Sequence, residues 1–498
     1  MTTIGNYSFS NCKNLKSITF MGKVETIKQR AFASCNALEK VIVPNIDSWC
    51  GISFASSIDN PLSYAHHLYS DEDTEITDLI IPEGIETIGD NAFYYCSGLN
   101  SITIPSSLKT IGKGAFTLCE IEKVVVSDLT SYCGITFGCE IGSRQGSRLF
   151  NDENTEIVDL IIPEGITSIS GNAFYGFKNI KSVSIPGSLT TIGGSAFSFC
   201  EGLTKVIVPD ITAWCSISFD GYESNPLYWA QHLYSDNNTE ITELEIPNQT
   251  ERIEGYAFYN ASFLTKVRIS DGVKAIGKSA FAGCKKMVSL IIPSSLNSID
   301  WWAFSGCENL VKVVIPDLAA WCAISLNRYN NPLSTSHHLY SDEDTEIKLL
   351  EIPDGVISIS EYAFYGCGSI NSIIIPRTVT SIGDCAFRGC NGVTSIWSRI
   401  TAPYDISTTV FSYEDKYGSS NGYLRATLYV PAGTKSRYES AVGWKEFKYI
   451  EEYDPTGIID LNANQKQDTS LIYSLNGQHL TTPRKGVNII NRQKVIIK

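Results

Sequence analysis

The sequence predicts a repeat solenoid, in which short strands form a curved parallel β-sheet and short helical or 3₁₀ arcs connect them. The main observation is an Ala-Phe pair that recurs every 23 residues, as at Phe93 and Phe116 and at Phe174 and Phe197. The second is an alternating apolar run, closed by proline, between these pairs. Because one such unit cannot bury its apolar face alone, the units must stack side by side.

Each unit has two halves. Residues 99–105 (LNSITIP) alternate apolar and polar side chains before a proline, which indicates a strand that leaves into a turn. Residues 108–119 (LKTIGKGAFTLC) place apolar side chains three and four apart, with glycine where the backbone turns tightly. The second half is therefore predicted to be a short helical turn or a 3₁₀ arc.

Four longer intervals interrupt the period, near residues 45–82, 127–163, 209–247 and 316–353. The first, third and fourth inserts share Trp-Cys, Asn-Pro-Leu and His-Leu-Tyr in that order. The second insert departs from them, since it has Tyr132-Cys133 and lacks the other two motifs. We expect each insert to end in a strand, a tight acidic turn and a return strand that rejoins the sheet. All four should project from one face of the solenoid.

The consensus LxxVxIPxxLxxIGxxAFxxC resembles the leucine-rich repeats of BspA-like bacterial surface proteins, over roughly residues 1–400. The resemblance implies a leucine-rich repeat solenoid of the α/β repeat class, from a Bacteroidetes-type bacterium. It also implies a secreted or surface-displayed protein that is used for adhesion. It does not identify the ligand.

Both chain ends differ from the regular repeats. The first residues match the middle of a unit and contain no secretory signal, so we expect the chain to be truncated at its amino terminus. Residues 401–452 are predicted to form a terminal repeat and cap, and residues 453–462 a linker. Residues 463–498 are predicted to form a small β-domain with strands at 471–475, 487–490 and 495–497, separated by Asn476-Gly477 and Pro483 to Gly486. This tail is similar to the carboxy-terminal sorting domains of exported proteins in the same bacteria.

Composition excludes several function classes. The hydrophobic fraction of 43% supports a continuous core, and no apolar run reaches the ~18 residues of a spanning helix. The net charge is 39 minus 53, or -14, which argues against nucleic acid as a partner. No nucleophile elbow, phosphate loop, dinucleotide fingerprint or HExxH motif occurs, so we predict no catalytic residues, no cofactor and no enzyme. Only catalytic groups converging from separate repeats, as in an unrecognised hydrolase, would escape this reasoning.

The cysteines follow the repeat. Nine of the fifteen lie three residues after a repeat phenylalanine: Cys12, Cys35, Cys96, Cys119, Cys200, Cys284, Cys307, Cys367 and Cys390. Stacked units bring such positions within disulfide range, but their Cβ vectors would be parallel, which suits a disulfide poorly. We predict buried free thiols that act as small hydrophobic side chains. Zinc is not expected, since no CxxC pair occurs.

Histidine and acidic residues in the inserts allow two interpretations. His66-His67 precede Asp71, and His337-His338 precede Asp342, which could form a divalent metal site. The alternative is a packing motif followed by an acidic turn. The third copy keeps only His232 and Asp236. We therefore favour the packing interpretation and predict no metal site.

The outward side of the strands supplies the first candidate binding surface. Lys40 with Asp78, Lys123 with Asp159 and Lys205 with Glu243 are predicted to pair across neighbouring strands. The second outward position is largely apolar and is expected to face water, which fits either strand propensity or an extended patch for a protein partner. Its candidate binding residues are Ile42, Ile80, Ile161, Ile207, Ile291, Val314, Ile374 and Trp397.

The inserts supply the second candidate surface. Aromatic residues on loops can stack on sugars or anchor proteins, whereas the regular Trp-Cys pairs should be core. The candidates are Tyr64, Tyr222, Tyr228, Trp229 and Tyr329. The sequence thus predicts a non-enzymatic adhesion solenoid outside the cell that binds host or community proteins, with carbohydrate binding by the inserts as the alternative. The oligomeric state does not follow from the sequence.

Overall fold

The computed structural model describes residues 2–22, 24–142, 146–414 and 422–454, together with the backbone of four short strands after residue 471. The chain forms two compact units. Unit 1 comprises residues 1–314 and 329–335, and unit 2 comprises residues 315–328 and 336–498. Each unit is described separately below. The division expected near residue 400 stays a prediction.

Unit 1 is a stack of parallel strands, one per repeat, which confirms the solenoid prediction. Consecutive strands pair at equivalent positions, as where Val124 pairs with Ile102. The strands are Ser17–Thr19, Lys40–Ile42, Leu68–Tyr69, Asp78–Ile80, Ser101–Ile104, Lys123–Val126, Arg148–Phe150, Asp159–Ile161, Ser182–Ser184, Lys205–Ile207, Leu233–Tyr234, Glu243–Ile246, Lys266–Ile269, Ser289–Ile291 and Lys312–Val314.

A second, narrower parallel ladder runs through the other half of the repeats in unit 1, in two-residue strands that end in isoleucine or phenylalanine. Pairs such as Ile88 with Ile111 hold it together. Its two-residue strands are Thr3–Ile4, Thr26–Ile27, Thr87–Ile88, Thr110–Ile111, Thr136–Phe137, Ser168–Ile169, Thr191–Ile192, Ser218–Phe219, Arg252–Ile253, Ala275–Ile276 and Ser298–Ile299.

The arcs are series of turns, which differs in detail from the expected helical or 3₁₀ conformation. In one arc, Ala92 and Tyr94 donate backbone N–H bonds three residues back, to Gly89 and Asn91. The alternate residue Phe93 donates instead to Ala115 of the next repeat. Left-handed backbone at Asn91 (φ 56°) makes this alternation possible. Every second N–H therefore serves stacking between repeats, which a continuous helix would not allow.

Several of the glycines that follow these two-residue strands are required by close approach between repeats. A Cβ added to Gly277 would lie 2.4 Å from the backbone nitrogen of Gly255, and one added to Gly112 would lie 2.5 Å from the nitrogen of Asp90. Such distances are far below van der Waals contact. Glycine here lets adjacent backbones touch, in addition to the tight turn that the sequence suggested.

The repeat phenylalanines form the centre of the core in unit 1. Phe258, Phe281 and Phe304 stack with ring centroids 5.1 and 5.6 Å apart and interplanar angles of 7° and 2°. All three are buried. Such stacked rings fill the interior with little side-chain entropy to lose, so each repeat aligns the next.

At the inserts the stack changes residue type. The indole Nε1 of Trp49 donates to the carbonyl of Ala92 over 2.9 Å, and Trp214 donates to Ala257 over 3.0 Å. In the second insert the hydroxyl of Tyr132 makes the equivalent bond. Each of these rings is fully buried. The prediction that the Trp-Cys pairs belong to the core is confirmed.

Short helices distinguish the inserts from the regular repeats. Asn45 caps the first helix by accepting the backbone N–H of Ser48, and Asp128 and Asp210 cap the equivalent helices. The α-helices of unit 1 are Ile46–Cys50, Leu62–Ala65, Leu129–Cys133, Ile211–Cys215 and Leu227–Ala230, and its 3₁₀ helices are Ser57–Asp59 and Tyr222–Ser224. A further helix, Leu333–Ser336, begins in unit 1 and ends in unit 2.

Each insert ends in a strand that joins the preceding sheet, as predicted. Leu68 pairs with Val41 in parallel, and a tight turn follows. The return segment makes one antiparallel bridge, between Tyr69 and Glu75. The next strand, Asp78–Ile80, then begins a new sheet instead of rejoining the old one, which corrects the prediction. The inserts therefore divide the concave surface of the repeats into separate sheets.

Unit 2 repeats the same plan and, between residues 401 and 453, contains two further strands and a short α-helix. Its sheet contains Leu349–Glu351, Ser372–Ile375, Ser395–Ser398, Thr427–Pro431 and Tyr449–Tyr453, all parallel. Its other strands are Leu339–Tyr340, Ser358–Ile359 and Ser381–Ile382, and its helices are Leu318–Ala323, Lys435–Ser440 and the 3₁₀ helix Trp444–Glu446. Phe411 extends the ring stack beyond Phe387, although the sequence period fades there.

The carboxy-terminal residues form a four-stranded antiparallel sheet in the order His479–Leu480, Ile472–Ser474, Gly486–Ile490 and Gln493–Ile497. The sequence predicted three of these strands and missed the one at 479–480. Gly486 begins a strand, although it was predicted to lie in a separating segment. The expected turn at Asn476-Gly477 and the linker after residue 454 lie outside the described residues.

The cysteines match the prediction. All fifteen lie in the described part of the chain as free thiols, and all except the half-exposed Cys12 are buried. Burial raises the pKa of Cys200 and of Cys390 to about 12. The structure adds a contact that the sequence did not suggest, since the Cys200 thiol donates to the carbonyl of Phe174 over 3.1 Å. The thiol therefore satisfies a buried backbone acceptor of the preceding repeat.

Candidate binding surfaces

The predicted apolar stripe on the sheets is only partly exposed. Ile80 and Ile161 are 63% and 67% exposed. The expectation that the stripe faces water is wrong for four of its members, which are buried: Ile42, Ile207, Ile291 and Val314. Trp397 and Ile374 are half-buried. The apolar stripe, which was predicted to form an extended patch, therefore reaches the surface only at separate positions.

The inserts explain part of this pattern. Ile42 pairs with Tyr69, and Ile207 pairs with Tyr234, on the strands that the inserts add. These aromatic neighbours flank the isoleucines on the sheet face. Ile80 instead lies on the first strand of a new sheet and has a paired neighbour on one side only. Exposure is thus high where a residue lies on the first strand of a sheet, as Ile80 and Ile161 do, and low where the strand is paired on both sides.

The predicted pairs between lysine and an acidic residue on the next strand are also wrong. The strand that follows Lys40 is the inserted one, so Asp78 is not its neighbour. The Nζ of Lys40 lies 4.7 Å from the ring centroid of Tyr69 and donates to the carbonyl of Glu72 over 2.8 Å. Lys205 does the same at Tyr234, over 4.4 Å. These lysines fasten the insert hairpins to the sheet.

A hairpin in which a histidine or an arginine contacts a glutamate closes every insert of unit 1. His67 Nδ1 lies 2.6 Å from Glu75 Oε1, and His232 lies 2.6 Å from Glu240. In the second insert Arg148 takes the histidine position and lies 3.6 Å from Glu156. This equivalence does not show in the sequence motifs, because the second insert lacks His-Leu-Tyr. A histidine or arginine that contacts glutamate therefore accounts for the motif at these positions.

Unit 2 contains the same hairpin. His338 Nδ1 lies 2.6 Å from Glu346 Oε1, and Lys348 lies 2.7 Å from the other carboxylate oxygen. Although partial burial would raise the pKa of Glu346, its bonds to these cations lower the pKa overall. Throughout the described residues, no group of three or more His, Cys, Asp or Glu side chains is placed to hold a metal ion.

The concave face of unit 2 carries three aromatic rings. Trp397 stacks on Tyr429 of the next strand, with ring centroids 4.1 Å apart and planes within 10°. Tyr453 meets Trp397 edge to face at 5.3 Å. We call these three residues the concave platform. The sequence predicted Trp397 alone, because the strands that bring the two tyrosines beside it lie outside the regular period.

Charged groups border the concave platform. Arg399 donates to Glu351 over 3.1 Å, and both side chains are about half exposed. Burial raises the pKa of Tyr453, and the Arg399 guanidinium partly offsets this shift. Because Tyr453 also donates to the carbonyl of Ser398, its ring is held in place. The result is a rigid aromatic surface beside an arginine and a carboxylate.

The five predicted insert residues do not all come together. Tyr64 is half-buried in the first insert, and Tyr329 is 57% exposed in the fourth. Tyr222, Tyr228 and Trp229 of the third insert do meet. The Tyr228 ring lies 5.3 Å from Tyr222 and 5.1 Å from Trp229, measured between centroids.

Arc residues enlarge this cluster. Tyr259 lies 5.2 Å from Tyr222 and 6.0 Å from Tyr256. Lys278 then lies 5.7 Å from the ring centroids of both Tyr256 and Trp302. No sequence pattern marks these arc residues, because a tyrosine beside Ala-Phe resembles ordinary variation between repeats. We call the set the aromatic belt; its members are Tyr222, Tyr228, Trp229, Tyr256, Tyr259, Trp301 and Trp302.

The tryptophans divide into a fully buried group and a group at the surface. Of the eight in the chain, four are fully buried: Trp49, Trp214, Trp321 and Trp444. Three of the others belong to the aromatic belt, and the fourth, Trp397, belongs to the concave platform. Every tryptophan that is not core therefore lies at one of two surfaces.

The repeat pattern decides the family. The model of the BspA type leucine-rich repeat region matches residues 1–59, 67–140, 143–224, 233–322 and 336–419. The chain belongs to the BspA-type leucine-rich repeat family. No curated protein sequence matches it.

Solved structures with similar repeats include three bacterial proteins. A leucine-rich repeat protein from Bacteroides ovatus is 21% identical, with 80% of this chain and 82% of that chain covered and a TM-score of 0.35. A leucine rich cell surface protein from Faecalibacterium prausnitzii is 20% identical (78% and 92% covered, TM-score 0.29). The pneumococcal vaccine antigen PcpA is 16% identical (90% and 91% covered, TM-score 0.31). These weak likenesses carry no argument about a ligand.

The α-helices of the described residues are short. Their longest α-helices, Leu318–Ala323 and Lys435–Ser440, have six residues each. A bilayer span needs about 20. No described helix could therefore cross a membrane.

Proposed function

We propose that this protein is a non-enzymatic adhesion protein of the bacterial surface, which binds a protein ligand through the concave platform. Proteins of its repeat family generally bind other proteins. The observation that carries the proposal is the stack of Trp397 on Tyr429 on the sheet face of unit 2, outside the buried core. The proposal assigns no catalytic role to any residue.

The composition of the concave platform supports a protein ligand. Tryptophan, tyrosine and arginine are the residue types that contribute most to binding free energy at protein interfaces. Trp397, Tyr429 and Tyr453 supply rigid rings, and Arg399 with Glu351 supplies a charged border. Rings already held by stacking lose little conformational entropy when a partner binds. Ile374, on the strand beside Trp397, adds apolar area.

Binding to immobilised extracellular-matrix proteins, measured by surface plasmon resonance, tests the proposal. Trp397→Thr introduces the residue that the equivalent outward position carries at Thr103. Loss of a central aromatic side chain should weaken binding by about 2 kcal/mol, or about 30-fold. Ile80→Thr, at an exposed outward position of unit 1, is the control and should bind like the parent.

Circular dichroism shows whether Trp397→Thr is folded, because a folded variant must give the same spectrum as the parent. If that folded variant binds matrix proteins as tightly as the parent, the concave platform is not the site. If the parent binds none of the proteins, the protein-binding function itself is wrong.

A further inference from the structure

We propose that the aromatic belt of unit 1 is a second binding site and that its ligand is a neutral polysaccharide. This site lies in a different unit from the concave platform and does not depend on the function proposed for that surface. The belt contains only tyrosines and tryptophans, drawn from one insert and the arcs that follow it.

The fold does not need aromatic residues at three of the belt positions. In the first insert, which has the same helices, Ser57 and Ser63 occupy the positions of Tyr222 and Tyr228. Asn91 likewise occupies the position of Tyr256. Since the first insert packs its Trp-Cys and Asn-Pro-Leu motifs equally well with these small polar residues, core packing does not explain Tyr222, Tyr228 or Tyr256. At the positions of Trp229 and Tyr259 the first insert keeps aromatic residues, Tyr64 and Tyr94.

Several belt residues also occupy locally unfavourable environments. Tyr256 (φ 65°) and Trp302 (φ 58°) have left-handed backbone, at a position where most other repeats place asparagine, glycine or serine; Tyr7, Arg30, Tyr362 and Cys385 are the exceptions. A bulky side chain in this conformation is strained. The indole N–H of Trp229 is buried and has no hydrogen-bond partner among the described residues. Such costs, without a gain in packing, point to a role in recognition.

The chemistry of the belt favours a sugar over a protein surface. The ring faces offer flat apolar area for the C–H face of a pyranose, and the phenol hydroxyls can bond to sugar hydroxyls. Glu223 adds a carboxylate acceptor next to Tyr222 and lies 3.3 Å from the hydroxyl of Ser198.

The charges near the belt and of the whole chain favour an uncharged polysaccharide. Lys278 is the cation seen between the rings of Tyr256 and Trp302, while Glu223 contributes negative charge beside Tyr222. The whole chain carries a net charge of -14. An anionic polysaccharide would be repelled at long range, whereas an uncharged one would not.

Affinity gel electrophoresis in native gels tests the proposal directly. The probes are three neutral polysaccharides (yeast mannan, laminarin and xyloglucan), with polygalacturonate as the anionic comparison. The parent should be retarded by at least one neutral polymer and not by polygalacturonate. Tyr222→Ser combined with Tyr228→Ser, which copies the first insert, should weaken the retardation by about tenfold.

Trp397→Thr, in the concave platform, is the matched control and should be retarded like the parent. Binding of the neutral polymer should also change the tryptophan fluorescence of the parent, because Trp229, Trp301 and Trp302 lie at the site. The Tyr222→Ser, Tyr228→Ser protein must keep the parent circular dichroism spectrum, and Tyr256→Asn provides a second variant, taken from Asn91.

The proposal is overturned if no neutral polymer retards the parent, or if only polygalacturonate does. Equal retardation of the parent and both folded belt variants would also overturn it. Loss of matrix-protein binding in the belt variants, with no effect on polysaccharide, would show that the belt binds protein instead. Failure of the concave platform would appear only in Trp397→Thr, so the two proposals fail separately.

Discussion

Asn225 provides the sharpest test of how the inserts are held, and Asn225→Ala is the corresponding perturbation. The side chain is fully buried. Its Oδ1 accepts the backbone N–H of Leu227 over 2.8 Å, at the start of the helix that carries Tyr228 and Trp229. Its Nδ2 donates to the carbonyls of Tyr256 and Ala257 over 2.7 and 3.0 Å.

The expected loss of stability depends on which hydrogen-bond partners of Asn225 keep another bond in Asn225→Ala. The carbonyl of Ala257 still accepts from Trp214, and that of Tyr256 still accepts from the backbone of Tyr259. The N–H of Leu227 is left without its acceptor. One orphaned buried donor costs about 1–3 kcal/mol and each lost bond about 0.5–1.5 kcal/mol. We therefore expect Asn225→Ala to destabilise the insert by about 2–6 kcal/mol.

Hydrogen exchange measured by mass spectrometry reports this local change, which a global melting curve of a repeat protein would average out. Peptides that contain Leu227 should exchange at least about 30-fold faster in Asn225→Ala, the equivalent of 2 kcal/mol. Asn60→Ala should do the same in the first insert, where Asn60 makes the same three bonds. Asn237→Ala, in an exposed turn, is the control. Unchanged exchange in both buried variants would refute this reasoning.

Three further predictions follow from the fold. Alkylation of the native protein should label little beyond the half-exposed Cys12, whereas denaturation without reductant should label most of the fifteen thiols; labelling of three or fewer would mean that they are disulfide-bonded. Ile207→Lys should lower thermal stability by about 1–3 kcal/mol, while Ile80→Lys should change it by less than about 0.5 kcal/mol, and equal melting shifts would contradict the exposures of 8% and 63%. Backbone N–H bonds lower the pKa of Asp71 and of Asp236, so these carboxylates stabilise the hairpin turns above their unfolded-state pKa and lose that effect as pH falls through the lowered value. Hydrogen exchange of the turn amides, corrected for intrinsic rates, should therefore accelerate below about pH 4, and protection that persists at pH 2 would argue against this role.

The repeat period was enough to determine the solenoid, the parallel strands and the buried thiols. These features follow from local patterns, since apolar alternation, the closing proline and the Ala-Phe pair act within one repeat and the repeat next to it. The Trp-Cys pairs could be assigned to the core for the same reason. The sequence also identified Trp397, Tyr222, Tyr228 and Trp229 as residues without a place in the repeat.

The tertiary structure decided which of those residues meet and which outward side chains reach water. Ile42 and Ile80 occupy equivalent positions in the pattern, yet one is buried beside Tyr69 and the other is exposed at the start of a new sheet. Tyr256 and Trp302 join the aromatic belt only because left-handed backbone in separate arcs brings them within reach of Lys278. The local pattern determines the fold of one repeat. Exposure and clustering of side chains depend instead on contacts between residues far apart in the chain.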